Sequence, residues 1–189
     1  MNYTLQPGRL SLFAGKYHTL LFDSTYNASP QSVRTIIDTV LPLRSQLFPQ
    51  SEIWLILGDM RELGALTEKE HRLLAGYVSQ TADKLFLLGS SMQEYLADEL
   101  RKIGFNTKQL YVAKHLKALN TALEKELKKA EEHNGKATFP LLVFKGSQNT
   151  IFLEESVKYF LLNADDEKFL TRQSAFWREK KRKKYLLDF

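Results

Sequence analysis

Ile53-Trp54-Leu55-Ile56-Leu57 is an unbroken apolar run that ends at Gly58-Asp59-Met60. A strand with one wet face alternates apolar and polar residues, so a short run without alternation, closed by glycine, reads as a strand covered on both faces. Such strands belong to parallel sheets, whose crossovers are usually helices. The flanking sequence supplies them. Upstream, Ser29 suits an N-cap and Pro30 the first helical position, and Val33, Ile36, Ile37 and Val40 share one face of a helix running to about Leu47. Downstream, Thr67-Glu68-Lys69-Glu70 reads as a capping box that starts a helix to about Gln80, followed by a strand from Leu85 to Leu88 and Gly89. Ser91 with Glu94 reads as a second capping box, opening a helix to Ile103. A strand from Gln109 to Val112, a charged amphipathic helix from Leu116 to Glu132, a strand from Leu141 to Phe144 and a helix from about Thr150 to Leu162 complete the alternation.

Before this series, Arg9 to Phe13 and Tyr17 to Phe22 flank Ala14-Gly15-Lys16 and suggest a small antiparallel pair. The expected fold is therefore α/β: a Rossmann-like, mostly parallel sheet with helices on both faces and an antiparallel strand pair at the N-terminus. The 189 residues, 43% of them apolar and 12% aromatic, suffice for one core. Cysteine is absent, which removes disulfides, thiolate metal sites and cysteine nucleophiles, and makes the cytoplasm the expected location. The opening MNYTLQPGRL has neither a basic nor an apolar targeting segment, and no apolar run approaches the roughly 18 residues of a bilayer span.

In open α/β sheets ligands bind beyond the carboxyl ends of the strands. Four polar clusters fall there: Asp23-Ser24-Thr25-Tyr26-Asn27, Gly58-Asp59-Met60, Gly89-Ser90-Ser91 and Lys145-Gly146-Ser147. The sequence carries no G-x-x-x-x-G-K-[ST], no G-x-G, no H-E-x-x-H and no G-x-S-x-G, and its four histidines are too scattered to suggest a metal site. What remains is recognition of anions and polar groups. Lys145-Gly146-Ser147, between a strand and a helix start, would bring an ammonium, a bare backbone and a hydroxyl to a point favouring a carboxylate or phosphate; a glycine turn with a solvated lysine fits the same residues. Arg9 is a second candidate anion ligand or a plain surface residue. Asp23 and Asn27 could bind hydroxyl or amide groups, or only their own backbone.

Pro7-Gly8-Arg9, the run Asp23-Ser24-Thr25-Tyr26-Asn27-Ala28-Ser29-Pro30, the run from Leu57 to Gly64 with His71, and Lys145-Gly146-Ser147 together resemble, in order and spacing, the C-terminal domain of the Mur ligases. The resemblance covers roughly residues 5 to 162 and is closest to the members that add D-alanyl-D-alanine to UDP-N-acetylmuramoyl-tripeptide. It implies an ATP-dependent amide-bond ligase of peptidoglycan synthesis, in which ATP phosphorylates a peptide carboxylate, an incoming amine attacks the acyl phosphate, and Mg2+ balances the phosphate charge. By carry-over, Arg9, Asp23, Ser24 and Asn27 are the expected ATP-binding residues. Lys145, Gly146 and Ser147 are expected to hold the carboxylate of D-alanyl-D-alanine, while Asp59, Glu62 and His71 shape the adjacent loop; no residue here is assigned catalysis or a metal. Ser24 stands where the family usually has a second acidic residue, and Gln148 where an arginine is common. The UDP-binding and P-loop domains of such a ligase are not in this sequence, so it is expected to be a C-terminal piece of a longer enzyme, inactive alone.

The formal net charge of +5 is local: eight basic and three acidic residues lie between Glu167 and Phe189, which accounts for the whole excess. The expected organisation is a ligase-like domain over 1–164 and a basic, aromatic extension over 165–189. In the extension Phe169, Phe176, Trp177, Tyr185 and Leu186 interleave with Lys180 to Lys184, a pattern compatible with a solvated helix docked through Phe169, Phe176 and Trp177. The rival reading is a binding module whose residues 178–189 contact an acidic partner, a membrane surface or nucleic acid. A neutral body argues against nucleic acid.

Overall fold

A computed structural model describes residues 6–134, 139–148 and 151–187. Six strands form one sheet in the order β1-β2-β6-β3-β4-β5. β1 (Ser11–Ala14) and β2 (Leu20–Ser24) are antiparallel; β3 (Ile53–Gly58), β4 (Lys84–Leu88), β5 (Leu110–Ala113) and β6 (Leu141–Lys145) run parallel to β2. The expected mostly parallel α/β fold with one antiparallel pair is therefore the one observed.

Every residue of β3 is buried, and its side chains divide between two cores. Leu55 and Leu57 pack with α1 (Pro30–Leu47), α2 (Thr67–Ser79) and α3 (Ala97–Lys102). Trp54 and Ile56 pack on the opposite face with α4 (Leu116–Asn134) and α5 (Glu154–Phe160). The period-2 geometry of a strand makes both sets apolar, which is why the sequence shows no alternation.

Local chemistry sets the start of α1 as expected: Ser29 Oγ accepts from the Ser32 N–H at 3.2 Å, and Ser32 Oγ accepts from the Ser29 N–H at 2.8 Å. The other two expected capping boxes are not formed. Thr67 is already inside α2, after Leu66 at the cap, and its hydroxyl donates to the Gly64 carbonyl across a short 3-10 turn. Ser91 caps nothing with its side chain; it precedes a π turn, Met92–Leu96, that leads into α3. The N-terminal strands are also shorter than expected, because Tyr17 and His18 adopt left-handed backbone angles of 57° and 55° and leave the strand to a turn. Helix α5 begins only at Glu154, after Phe152 at φ 48°. Its expected start at Thr150 lies outside the described residues.

The extension is folded onto the body. A 3-10 segment (Ala164–Phe169) leads to Leu170, which is 2% exposed, and then to α6 (Ala175–Leu187). Phe169 and Phe176 are exposed, contrary to the expectation that they dock; Leu170 does so instead, and Trp177 meets Phe152 edge-on at 6.2 Å. The side chains of Tyr185 and Leu186, and all of Asp188 and Phe189, lie outside the described residues. No helix among the described residues is long and apolar enough to cross a membrane.

Candidate functional site

Strand β6 sits between β2 and β3, and the helix that follows it covers the opposite face from the helices that follow its neighbours. Connections that diverge in this way leave a crevice at the carboxyl end of the sheet. A cleft of about 470 Å³ opens there, lined by Gly8, Arg9, Ser24, Tyr26, Asn27 and Lys145 and by the first turns of α1. Arg9, Ser24, Asn27 and Lys145, chosen from the sequence, thus share one wall system although they are up to 136 residues apart in the chain.

The loop after β2 is built around Asp23. Its carboxylate, fully buried, accepts from the Thr25 N–H at 3.0 Å and from the Thr25 hydroxyl at 2.6 Å through Oδ1. Oδ2 has no partner among the described residues, and burial raises the Asp23 pKa above the usual carboxylate value. Asp23 shapes the loop from behind and does not line the cleft. Tyr26 donates its N–H to the Gly8 carbonyl at 3.0 Å, and the Arg9 guanidinium lies over the Tyr26 ring at 4.5 Å. Gly8 has φ 74°, and a side chain there would press on the Tyr26 backbone, so glycine is required for this close approach.

Lys145, 5% exposed, crosses from β6 to the same loop. Its ammonium donates to the Ser24 carbonyl at 3.1 Å, to Ser24 Oγ at 3.2 Å and to the Asn27 carbonyl. These acceptors are neutral oxygens. Burial, reinforced by the positive charge of Arg9 and opposed by Asp23, lowers the Lys145 pKa to about 8. An anion in the cleft would supply the countercharge this ammonium has only in part.

Ser147 and Gly146 do not line the cleft. Ser147 Oγ donates to the Ala28 carbonyl at 3.2 Å and accepts from the Arg61 N–H at 2.9 Å, stitching the loop after β6 to those after β2 and β3. The Gly58-Asp59-Met60 turn is also internally committed. Asp59 Oδ1 accepts from the Met92 N–H at 2.8 Å, capping the helical turn that the sequence assigned to Ser91. His71, wholly buried, accepts from the Met60 N–H at 3.2 Å through Nε2 and donates from Nδ1 to the Thr67 carbonyl at 2.7 Å. Asp59 and His71 therefore shape this loop, as expected. Among the described residues no three His, Asp or Glu side chains converge on one point.

Sequence reasoning missed Arg172 and Glu154. Glu154 is fully buried and takes Arg172 in two parallel bonds, Nε to Oε1 at 2.8 Å and Nη2 to Oε2 at 2.9 Å. Arg172 also donates to the Thr25 carbonyl at 2.6 Å and the Tyr26 carbonyl at 3.1 Å, behind the cleft wall. The sequence signal was one basic residue among eight in a tail read as solvated.

A family model described as "Mur ligase, glutamate ligase domain" matches residues 8–147, about three quarters of the chain. No curated protein matches. Among solved structures, crystal structures I and II of MurF from Acinetobacter baumannii share 23% identity with the chain, at TM-scores of 0.61 and 0.60, each over 82% of it. MurF ligase from Thermotoga maritima in complex with ADP shares 22% identity over 87% of the chain, at a TM-score of 0.55. The chain spans about a third of the length of these structures, with 30%, 31% and 32% of them covered. At this identity the likeness is one of fold, and it agrees with the sheet and crevice described above. On the strength of the matched segment, which runs from Gly8 at the cleft to Ser147 after β6, the chain belongs to the Mur ligase family, as its glutamate ligase domain.

Proposed function

We propose that the chain is the C-terminal domain of an ATP-dependent ligase that adds D-alanyl-D-alanine to UDP-N-acetylmuramoyl-tripeptide in the cytoplasm. The observation that carries this reading is the convergence of Arg9, Ser24, Asn27 and Lys145 on one cleft at the carboxyl end of the sheet. Arg9 and Lys145 supply two positive charges to a phosphate or carboxylate, and Ser24, Asn27 and the Tyr26 ring supply the polar and stacking contacts a nucleotide takes. ATP would provide the phosphoryl group that activates the peptide carboxylate; the residues of this chain bind and orient, and the P-loop and UDP-sugar sites belong to other domains. Because Ser147 is held by Ala28 and Arg61, it serves the dipeptide site by fixing the loop that Gly146 and Lys145 share.

The reading of the extension as an independent binding module is not favoured, since Arg172 and Lys181 are consumed in buried ion pairs and Arg182 and Lys183 pair with Glu179. The test is a titration of the isotope-labelled chain with a non-hydrolysable ATP analogue and, separately, with D-alanyl-D-alanine. The expected result is millimolar binding with shifts at Arg9, Tyr26, Asn27 and Lys145. Absence of shifts in that cleft with both ligands overturns the reading.

A further inference from the structure

The buried ion cluster between the extension and the body has no role in the function proposed so far. Glu154, at the start of α5, is 0% exposed and binds Arg172 and Lys181, the latter at 3.0 Å. Lys181, on α6, also pairs with Glu155 at 2.6 Å. Two carboxylates and two cations thus lock α5, the segment before α6, and α6 together. Such a cluster is a costly way to gain stability, because desolvating four charges offsets most of their attraction. It does fix one arrangement of the groups that reach it.

What it fixes is the cleft wall. The Arg172 backbone has φ 57°, and its guanidinium spends the donors left over from Glu154 on the carbonyls of Thr25 and Tyr26. The adjoining Thr171 methyl packs beside Gly8. From Tyr26 the chain of contacts continues through its N–H to Gly8 and through its ring to Arg9, and one residue on, the Asn27 carbonyl receives Lys145. The contacts of Arg172 with Tyr26 and of Thr171 with Gly8 therefore land on residues that line the cleft.

We propose that the extension is a positioning strap for the nucleotide side of the cleft, with Arg172 as the positioning residue, Glu154 as its anchor and Lys181 as the lock from α6. The ligand half of this inference rests on the nucleotide reading of the cleft; the structural half does not. All three residues lie outside the segment matched by the family model. In the full chain, Arg172→Ala is expected to speed amide exchange at Tyr26 by at least about tenfold, the factor that losing one charged hydrogen bond implies, with exchange in Leu55–Leu57 of β3 unchanged. Lys181→Met, which keeps the stem and removes the charge, is expected to have the same effect more weakly, and it stands in if Arg172→Ala does not fold. Arg172→Lys should restore Tyr26 protection only in part, because an ammonium cannot hold a carboxylate in a fork while reaching two carbonyls.

The ATP analogue should bind about fivefold or more weakly to Arg172→Ala, in line with a binding-competent loop that is populated less of the time. Unchanged Tyr26 exchange in the variants, or a rise matched in β3, overturns the strap. A loosened loop that binds the analogue as tightly as before overturns its role in the site. If the unaltered chain binds no nucleotide while the exchange result is obtained, the nucleotide reading fails and the strap stands.

Discussion

Two polar turns lie at the same end of the same sheet, and they differ in what their side chains are spent on. In the Gly58-Asp59-Met60 turn the polar groups close on one another: Asp59 caps Met92, and His71 bridges Met60 and Thr67. Around the loop after β2, Arg9 is exposed, Asn27 faces the cleft, and Lys145, reaching in from β6, holds a buried positive charge against neutral oxygens. The first turn is finished without a ligand; the second has charge and contacts to give. Polarity at the rim is thus a poor guide to function, whereas unspent polarity is a good one.

The strongest way to break the contrast is Gly89→Ala. Gly89 has φ 116°, and a Cβ there would fall within the Asp59 carboxylate, so backbone strain and overpacking act together and unfolding by urea should show a loss of about 4 kcal/mol. Neither Gly89 nor Asp59 lines the cleft, so binding of the ATP analogue there should fall only through global unfolding.

Next in size is the pH response of Lys145. Its pKa of about 8 in the fold lies below 10.5 for an exposed lysine. Between these values the unfolded chain binds more protons than the native one, so the unfolding free energy rises with pH across this window. The cost of burying the ammonium, about 3 kcal/mol, is present in full below pH 8 and is gone by pH 10.5. The stability difference between the unaltered chain and Lys145→Met should carry that slope. Affinity for an anionic ligand should fall as the pH passes 8, since the ammonium then loses its charge.

Asp59→Ala removes a buried cap and should cost about 2 kcal/mol in thermal or urea unfolding, with cleft binding retained once the fold is intact. Arg9→Ala marks the other pole. Among the described residues its guanidinium meets Gln6 and the Tyr26 ring, both at the surface, so stability should move by no more than about 1 kcal/mol. Binding of the ATP analogue should weaken about tenfold, as expected for one charged hydrogen bond. A large loss of stability with unchanged affinity would reverse the assignment of the two turns.

Much of the fold was legible because it is written in local chemistry. The Ser29-Pro30 start of α1 depends on groups within three residues of each other, and the β3 run is apolar because both of its faces are covered. The capping box at Ser91 failed because a distant carboxylate, Asp59, took the N–H at Met92, and the one at Thr67 failed because a 3-10 turn over Gly64–Leu66 already leads into the helix there. The site divides in the same way. Arg9, Ser24, Asn27 and Lys145 share the cleft, but nothing in the sequence distinguished Lys145, which faces it, from Ser147, which is sealed behind Ala28 and Arg61.

The order of apolar runs, turn residues and caps determined by itself that this is a parallel α/β sheet with an antiparallel start, since those signals act over a few residues and survive in isolation. Only the tertiary structure decided which polar groups satisfy each other. That pairing joins residues more than 100 positions apart, as with Lys145 to Ser24 and Arg172 to Tyr26, and depends on burial, which no local pattern encodes. For this reason the tail that looked solvated by composition turns out to hold the wall of the cleft.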